Sequence, residues 1–216
     1  MLSNERHRQI ISYLEQKNTV TVQELTDILY ASSSTIRRDL SELEAQGFVK
    51  RIHGGAVLTA GSTFDTPASL RRTQQLAEKQ RIAELASQFL KPSSTYFFDS
   101  SSTASILATR LSDYPDVKIA TNGVAILSNM QSTDKLSILS TGGYLRSPWD
   151  ELTGNLAIKC IENMNADVFF FSCAGFTVEQ GAMELSDDNV AVKRVFYRNS
   201  KLRILLCDST KIGKLF

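Results

Sequence analysis

The sequence predicts two domains, a small α+β unit of short helices closed by a β-hairpin and a larger α/β unit built on a parallel sheet. Residues 1–58 contain capped amphipathic helix patterns and a Gly-Gly pair between two apolar runs. Residues 59–74 are small, polar and interrupted by proline, as is typical of a linker. In residues 75–216 short apolar runs alternate with helical patterns, which favours a parallel sheet with right-handed crossovers.

Composition excludes several classes of protein. The chain has 216 residues, room for one or two domains, and 42% of them are hydrophobic, an ordinary proportion for a globular protein. The formal net charge of +1 indicates no global attraction to nucleic acid or to anionic membrane, so any DNA binding has to come from a local arrangement. No apolar run approaches a membrane span or a signal peptide, so we expect a cytoplasmic protein with no membrane partner.

The cysteines and histidines do not suggest a metal site. Cys160, Cys173 and Cys207 form no CxxC motif, and the two histidines, His7 and His53, lie far from them in sequence. This pattern is typical of reduced, packed thiols in a cytosolic protein. We therefore expect neither a metal nor a cofactor.

Helix-capping residues divide the first domain into three helices. The first helix is predicted to begin near Ser3. Thr21 and Glu24, three residues apart, form a capping box that opens a second short helix. Ser32 is a suitable N-cap for a third helix, and Gly47 is a suitable residue to end it.

The third helix has one face suited to docking and another that stays in solvent. Ile36, Leu40 and Leu43 fall at i, i+4 and i+7, so they share a face. Polar and basic side chains point the other way near its N-terminal half, where an arginine can bond guanine O6 and N7 in the major groove. The side chains of this helix that we predict to contact DNA are Ser33, Ser34, Thr35, Arg37 and Arg38.

Two short apolar runs around Gly54-Gly55 predict a β-hairpin after the third helix. With the helices it completes a winged helix-turn-helix. The side chains of Lys50, Arg51 and His53, with Gly54 at the turn, are predicted to lie on the DNA backbone or in the minor groove.

The charge of this domain leaves two alternatives open. Residues 1–58 carry seven Lys or Arg and seven Asp or Glu, so the domain is neutral overall, although four of the cations lie in the third helix and the hairpin. One alternative is that Arg37 and Arg38 only pair with Asp39, Glu42 or Glu44 on a solvated face. The other is that the domain contacts protein rather than DNA. The combination of caps, three short helices and a basic hairpin favours DNA.

These motifs resemble the DeoR-type bacterial transcription regulators, and the resemblance covers nearly the whole chain. It implies a DNA-binding repressor, more rarely an activator, of a sugar-utilisation operon, with a sensor domain similar to sugar-phosphate isomerases. The implied partners are double-stranded operator DNA and a phosphorylated sugar, and paired half-sites imply a homodimer or homotetramer. The matching segments are residues 35–40, 43–44, 47, 51–56, 98–103, 121–122, 142–143 and 208–211.

The second domain reads as alternating strands and helices. The predicted strands are Thr95–Phe98, Val117–Ala120, Leu136–Leu139, Asp167–Ser172 and Leu202–Cys207. The predicted helices are Ala77–Leu90, Ala104–Leu111, Val124–Met130, Leu156–Met164 and Asn189–Asn199. Two of the strands are apolar without alternation, which suits strands covered on both faces.

Polar or glycine-rich turns follow all five predicted strands, at the edge where parallel sheets bind ligands. Hydroxyls and free backbone N–H groups of the first turn suit a phosphate, Lys193 and Lys211 could neutralise it, and Asp99 and Asn122 could accept sugar hydroxyls. The alternative is that the serines are only helix caps and the glycines only turn residues. The predicted effector-binding residues are Asp99, Ser100, Ser101, Ser102, Thr103, Thr121, Asn122, Gly142, Gly143, Lys193, Asp208 and Lys211.

Arg146 and Trp149, in the loop over residues 143–153, are interpreted as part of a lid.

The chain also departs from the DeoR pattern in two ways. Ser101 stands where the family usually has glycine in its phosphate loop, which weakens the case for close backbone approach there. Family members usually continue beyond the Asp-Ser-x-Lys segment, whereas this sequence stops at Phe216, so we expect a truncated sensor.

An enzyme is the alternative function, a sugar-phosphate isomerase or deaminase with a DNA-binding appendage. Asp99, Glu184, Lys193 and Asp208 supply acid–base groups for such chemistry. However, no histidine follows His53 and no nucleophile–base pair is readable. The prediction is therefore a regulator and not an enzyme.

Overall fold

The chain folds into two units that divide between Pro67 and Ala68. The residues described by the computed structural model are 3–17, 19–45, 49–58 and 68–215. None of the helices among them combines the length and apolarity that a membrane span requires.

The first unit contains three helices and a small antiparallel sheet in its described residues. The sheet order is β1-β3-β2, so the predicted hairpin is formed by β2 and β3, and β1 adds a strand that the sequence did not predict. The elements are α1 (Ser3–Lys17), β1 (Thr19–Thr21), α2 (Val22–Leu29), α3 (Ser33–Ala45), β2 (Val49–Ile52) and β3 (Gly55–Leu58).

Local hydrogen bonds start the helices where the sequence predicts. The Thr21 hydroxyl accepts from the Glu24 backbone N–H at 3.1 Å, and the Glu24 carboxylate accepts from the Thr21 N–H at 2.8 Å, so the capping box is confirmed. The Ser32 hydroxyl accepts from the Thr35 N–H at 3.2 Å and caps α3. Tyr30 ends α2 in the left-handed conformation. The predicted stop at Gly47 lies outside the described residues.

One apolar core holds the three helices and the sheet of the first unit together. Ile36, Leu40 and Leu43 of α3 are buried, as their spacing predicts. They join core side chains from α1, α2 and the sheet, which are Ile10, Ile11, Leu14, Val20, Leu25, Leu29, Val49 and Ala56.

The second unit is built on a five-stranded sheet whose strands are all parallel, in the order β12-β9-β4-β5-β6. The predicted α/β class is confirmed. The elements are α4 (Ala68–Arg71), α5 (Leu76–Ala86), β4 (Thr95–Phe98), α6 (Ser102–Ala108), β5 (Val117–Thr121), α7 (Val124–Asn129), β6 (Leu136–Ser140), β7 (Tyr144–Arg146), β8 (Glu151–Thr153), α8 (Asn155–Ile161), β9 (Ala166–Phe171), β10 (Gly175–Thr177), β11 (Gly181–Met183), α9 (Asp187–Arg198) and β12 (Ser200–Leu205).

Both faces of this sheet are covered, which explains the strands without alternation. Phe98 and Phe170 stack at 5.2 Å between ring centroids in the core that includes α5, α6 and α7. Phe97 packs against Phe196 at 4.7 Å in the core that includes α8 and α9. Adjacent residues of one strand therefore belong to opposite cores, so every position is apolar.

Strand order places a topological switch point between β4 and β9. From β4 the chain adds β5 and β6 on one side, and it returns to add β9 and β12 on the other. Ligands bind to sheets of this kind beyond the carboxyl ends of the strands at such a point. We call this side of the sheet, with the turns after its five strands, the carboxyl edge.

Two hairpins of the second unit were not predicted. The hairpin β7–β8 occupies the predicted loop over residues 143–153, and β10–β11 follows β9. Three-residue strands are too short to show a hydrophobic period. At Gly143 (φ 103°), an added Cβ would lie 2.3 Å from the Thr153 carbonyl oxygen, so close backbone approach requires glycine.

The second unit begins at Ala68, inside the range of 59–74 that was predicted as linker. Residues 59–67 lie outside the described residues, but α4 is helical and belongs to the second unit. The Lys79 ammonium of α5 donates to the carbonyl oxygens of Arg71 and Gln74, the latter at 2.8 Å, and so fixes the α4–α5 turn.

Candidate functional site

The predicted DNA-contacting face of α3 is open to solvent. Arg37, Ser33 and Ser34 are exposed, Thr35 is half-buried, and the Arg38 side chain is 72% exposed. The Arg38 Nε lies 3.9 Å from the nearest Glu42 carboxylate oxygen, a loose contact in solvent. Exposed pairs of this kind contribute about 0–1 kcal/mol, so the pairing leaves the guanidinium available to another partner.

Asp39 fixes α3 against α1 and does not pair with the outward arginines. The Arg6 guanidinium donates hydrogen bonds to both carboxylate oxygens of Asp39, with Nη2 2.8 Å from Oδ1. His7 Nε2 lies 3.2 Å from the same Oδ1. Burial by itself raises the pKa of Asp39, but its bonds to Arg6 and His7 outweigh this and hold it below the usual value. The buried pair therefore orients the helix that presents Arg37 and Arg38.

The hydroxyls at the start of α3 form a small cluster. The Ser32 oxygen lies 2.9 Å from the Ser34 oxygen and 2.8 Å from the Thr35 oxygen. These contacts hold the predicted side chains in one place at the helix N-terminus, where a phosphate is favoured.

The wing, the β2–β3 hairpin, presents Lys50, His53 and Gly54 to solvent. Gly54 has a φ of 80°, which a two-residue hairpin turn favours. Arg51 is also exposed, but its Nη1 donates to the Ser41 hydroxyl at 2.7 Å, and its backbone N–H donates to Glu44 at 2.8 Å. Arg51 and Glu44 therefore join the wing to α3.

His7, Asp39 and Glu42 form the one group of metal-ligand side chains that converges among the described residues, with their ligand atoms within 4.8 Å of one another. Arg6 already occupies both oxygens of Asp39. A cation at this point would face the guanidinium, so the group is better explained as an ion-pair network.

Asp99 bridges β4 and β9 at the switch point. One carboxylate oxygen accepts from the Ser101 N–H at 3.0 Å, and the other accepts from the Ser172 N–H at 2.9 Å. The Lys193 ammonium lies 2.8 Å from that second oxygen. The carboxylate is buried, so these partners replace the sugar hydroxyls that the sequence predicted for it.

Lys193 is a buried structural cation in this arrangement. Its ammonium contacts Asp99, Glu184 and the Ser172 carbonyl oxygen, the last at 2.9 Å. Burial lowers the pKa of Lys193, but the two carboxylates outweigh it and raise the pKa above its usual value. An ammonium has three N–H donors, so a phosphate would have to displace one of these acceptors. This structural role differs from the phosphate neutralisation that the sequence predicts for Lys193.

The serine-rich turn after β4 is mainly a helix cap. The Ser101 hydroxyl accepts from the Ala104 N–H at 3.2 Å, as the capping alternative predicts. The Ser100 hydroxyl donates to the buried Glu151 carboxylate at 3.3 Å. Ser102 is half-buried and Thr103 is buried.

Asn122, after β5, carries an unpaired acceptor. Its Nδ2 donates to the Leu152 carbonyl oxygen and to the Asn189 side-chain oxygen, both at 3.2 Å. These two acceptors set the orientation of the amide. Within the described residues, Asn122 Oδ1 is a buried polar atom with no hydrogen-bond partner. Such an atom costs about 1–3 kcal/mol unless a donor reaches it.

Other predicted residues of the carboxyl edge serve its turns. The Thr121 hydroxyl accepts from the Gly123 N–H at 2.9 Å, and Gly142 and Gly143 both have positive φ. The Asp208 carboxylate accepts from the Thr210 N–H at 3.0 Å. Lys211, half-buried, donates to the Ser172 hydroxyl at 2.8 Å, which places a cation between the ends of β9 and β12.

The segment predicted as a lid is anchored at several points. The Arg146 guanidinium lies 4.3 Å over the Trp149 ring and 3.0 Å from Glu151. Arg71, the last residue of α4, donates to the Trp149 carbonyl oxygen at 3.1 Å, and the next residue, Arg72, forms an ion pair with Asp150. These contacts hold the β7–β8 hairpin against other parts of the second unit in this structure.

The predicted site residues did not include three residues of this region, namely Lys79, Glu151 and Asn189. A signal existed for Lys79, because it lies at i and i+4 with Ala83 on the buried face of α5. Burial, with the charge of Lys211 second, lowers the pKa of Lys79 to about 8. The contacts of Glu151 with Ser100 and of Asn189 with Asn122 join residues 51 and 67 positions apart, so no local signal predicts them.

The Lys79 ammonium makes stability depend on pH. Between about pH 8 and the ordinary lysine pKa of 10.5, the unfolded chain binds more protons than the folded chain. The free energy of unfolding therefore rises with pH across this window. We expect Lys79→Met to shrink the difference in Tm of the second unit between pH 7 and pH 9.5, and Lys91→Met, at an exposed site, to leave it unchanged. An equal difference in wild type and Lys79→Met would contradict this.

The winged helix-turn-helix and the α/β sensor unit together define a DNA-binding regulator. Two family models match the chain, a DeoR-like helix-turn-helix domain over residues 6–61 and a DeoR C terminal sensor domain over residues 74–216. The chain belongs to the DeoR family of transcriptional regulators, and the resemblance predicted from its motifs is confirmed.

Named relatives are regulators rather than enzymes. The HTH-type transcriptional regulator GolR of Listeria innocua is 36% identical over 99% of this chain and 84% of its own length. The glycerol-3-phosphate regulon repressor of Escherichia coli is 30% identical, also over 99% of this chain and 84% of its own length. Ribose 5-phosphate isomerase from Plasmodium falciparum is similar in structure with a TM-score of 0.44 and 11% identity, covering 64% of this chain and 53% of that one.

Proposed function

We propose that the chain is a repressor whose second unit binds a small phosphorylated sugar at the carboxyl edge and thereby changes operator binding by the first unit. The observation that carries the effector part is the buried, unpaired Oδ1 of Asn122 at this edge. A sugar hydroxyl is a donor that satisfies such an acceptor. An effector needs to prefer one state of the regulator by only about 1–3 kcal/mol to change DNA affinity usefully.

Lys211 supports the anionic part of the effector. Its ammonium lies at the carboxyl edge on the Ser172 hydroxyl. It is half-buried, so its charge is less screened than that of a fully exposed lysine. Unlike Lys193, it is not enclosed between two carboxylates. The name of the Escherichia coli relative, a glycerol-3-phosphate regulon repressor, agrees with a small phosphorylated polyol as the class of effector.

Asn122→Ala tests the effector site. We expect the variant to lose about 0.5–1.5 kcal/mol of effector binding, roughly a 2- to 12-fold rise in Kd, because one hydrogen bond to the ligand is removed. A panel of triose, pentose and hexose phosphates is first screened by thermal shift on wild type, and Kd is then measured by calorimetry. Asn129→Ala, at the exposed end of α7, is the control. Equal affinity of wild type and Asn122→Ala for the selected ligand would remove Asn122 from the site.

Arg38→Ala tests base recognition by α3. The Arg38 side chain is exposed and points away from the buried face of the helix, so we expect a loss of about 1–3 kcal/mol in specific operator binding, roughly 5- to 150-fold. Lys50→Ala should instead weaken all sequences alike and reduce the salt dependence by about one unit of slope. Fluorescence anisotropy on operator and scrambled duplexes separates the two effects.

The matched control for this experiment is Arg110→Ala, which removes an exposed arginine from the second unit. Unchanged operator affinity of Arg38→Ala, together with a fold that melts like wild type, would move base recognition to other residues.

We also propose that two copies of the chain bind paired half-sites about one or more helical turns apart. Sedimentation of the protein with operator duplex measures the number of chains bound.

A further inference from the structure

Two cysteines come together where β9 and β12 end. These strands are parallel neighbours with Leu205 opposite Phe171, and the Leu206 N–H donates to the Phe171 carbonyl oxygen at 2.7 Å. One residue further, the Ser172 hydroxyl donates to the Leu206 carbonyl oxygen at 2.7 Å. The same register places Cys173 beside Cys207 on one face of the paired segments.

The two thiols are neighbours in the paired segments, and both are free. The Cys207 thiol donates to the Asp208 carbonyl oxygen at 3.4 Å, and its proximity acts electrostatically on Cys173. Neighbouring strands lie about 4.8 Å apart, which falls within the Cα separation of about 4.4–6.8 Å that a disulfide spans. A bond between these sulfurs therefore needs little movement of the backbone.

The surroundings give the two thiols different roles. Cys207 is half-buried and within reach of solvent, whereas Cys173 is buried. Burial, with the neighbouring Cys207 second, raises the pKa of the Cys173 thiol to about 12, so it stays protonated. Lys211, on the adjacent Ser172 hydroxyl, brings a positive charge to the pair. Cys207 is thus the sulfur that meets an oxidant first, and Cys173 is the one that resolves it.

We propose that Cys173 and Cys207 form a modification site for peroxides, closing to an intramolecular disulfide. The Cys207 thiolate attacks one peroxide oxygen and the O–O bond breaks, which yields a sulfenic acid and hydroxide. The Cys173 sulfur then attacks the Cys207 sulfur, the S–O bond breaks, and the hydroxyl leaves as water with the Cys173 proton. The hydroxide from the first step takes up the proton that the Cys207 thiol lost on ionising. In total, two thiols therefore lose two electrons and two protons, and hydrogen peroxide is reduced to two waters.

Closure of the disulfide would link the residues that flank Ser172 and Asp208. Cys173 follows the serine whose hydroxyl contacts Lys211, and Cys207 precedes the turn that carries Lys211. The bond would therefore hold the β9 and β12 ends together at the carboxyl edge. The proposal does not depend on which ligand this edge binds, or on whether it binds one.

The test is chemical mapping of the oxidised full chain. The protein is treated with hydrogen peroxide, blocked with N-ethylmaleimide and digested without reduction. Cleavage after Glu162 separates Cys160 from Cys173, and cleavage after Arg203 releases the peptide with Cys207. We expect a cross-linked Cys173–Cys207 peptide two hydrogens lighter than the free pair, with Cys160 alkylated. Cys160 is the internal control, since it is half-buried like Cys207 and its thiol contacts the Ser140 carbonyl oxygen.

Variants test the order of the steps. In Cys173→Ala we expect a Cys207 sulfenic acid that dimedone labels, and in Cys207→Ser we expect neither the label nor the cross-link. Cys160→Ser should keep the cross-link. The proposal is overturned if wild type forms no cross-link while Cys207 is alkylated as readily as Cys160, if Cys207 is over-oxidised without linking, or if the linked peptides join two chains.

Discussion

Asp39→Ala is expected to lower the free energy of unfolding of the DNA-binding unit by about 3–5 kcal/mol. The substitution leaves the Arg6 guanidinium buried without the carboxylate that grips it from α3. A domain of this size has a total stability of only about 5–15 kcal/mol, so the loss is a large fraction of it. Operator binding is expected to fall with it, although Asp39 itself is buried and does not lie on the exposed face of α3.

Calorimetry and operator binding together check this result. The first unit should melt earlier in Asp39→Ala, while the melting of the second unit stays at its wild-type temperature. Glu42→Ala removes a more exposed carboxylate from the same helix and is expected to change stability by less than about 1 kcal/mol. Replacing both partners, Arg6→Met with Asp39→Leu, should recover much of the loss, because no buried charge remains. A Tm like wild type for Asp39→Ala alone would show that the pair stabilises nothing.

Lys193→Met is expected to have an equally large effect on the sensor unit, about 3–5 kcal/mol. Methionine fills a similar volume but leaves Asp99 buried without its cation and Glu184 without its ion pair. Asp99 also accepts the Ser172 N–H, so the ends of β4 and β9 should loosen together. The carboxyl edge is then disturbed through its support, even if no ligand atom touches Lys193.

Lys201→Met is the matched control for this prediction. The same substitution is made in the same unit, but the Lys201 side chain is 79% exposed and pairs with a half-exposed Asp167. We expect it to cost no more than about 1 kcal/mol. Denaturant unfolding followed by circular dichroism compares the two variants. Similar losses for both, or none for Lys193→Met, would mean that the buried network does not hold this edge.

Much of the fold could be predicted because its determinants are local. The capping box at Thr21, the spacing of Ile36, Leu40 and Leu43, and the Gly54-Gly55 turn each act within one element. The buried strands could also be predicted, since runs such as Phe169–Phe171 serve two cores at once. Short hairpins such as β7–β8 could not be predicted, because a strand of three residues shows no hydrophobic period.

The candidate site could be predicted as an edge but not as a set of contacts. Strand–helix alternation predicts that the turns after the strands lie together, and the turns that carry Asp99, Asn122 and Lys211 follow β4, β5 and β12 of the parallel sheet. Their partners could not be read from spacing. Lys193 proved to be enclosed by two carboxylates, whereas Asn122 kept an unpaired oxygen. The first therefore supports the edge, and the second is the atom on which the proposed effector site depends.

The amino-acid sequence by itself determined the resemblance to the family through its motifs. It determined the main helices and strands and the outward side chains of α3 through periodicity and caps, which act over a few residues. Only the tertiary structure decided which charges neutralise each other. Arg6 and Asp39 lie 33 positions apart, and the sequence around either residue does not indicate that it pairs with the other. Ion pairs, unpaired oxygens and neighbouring thiols depend on distances between segments that are far apart in sequence, and folding alone sets those distances.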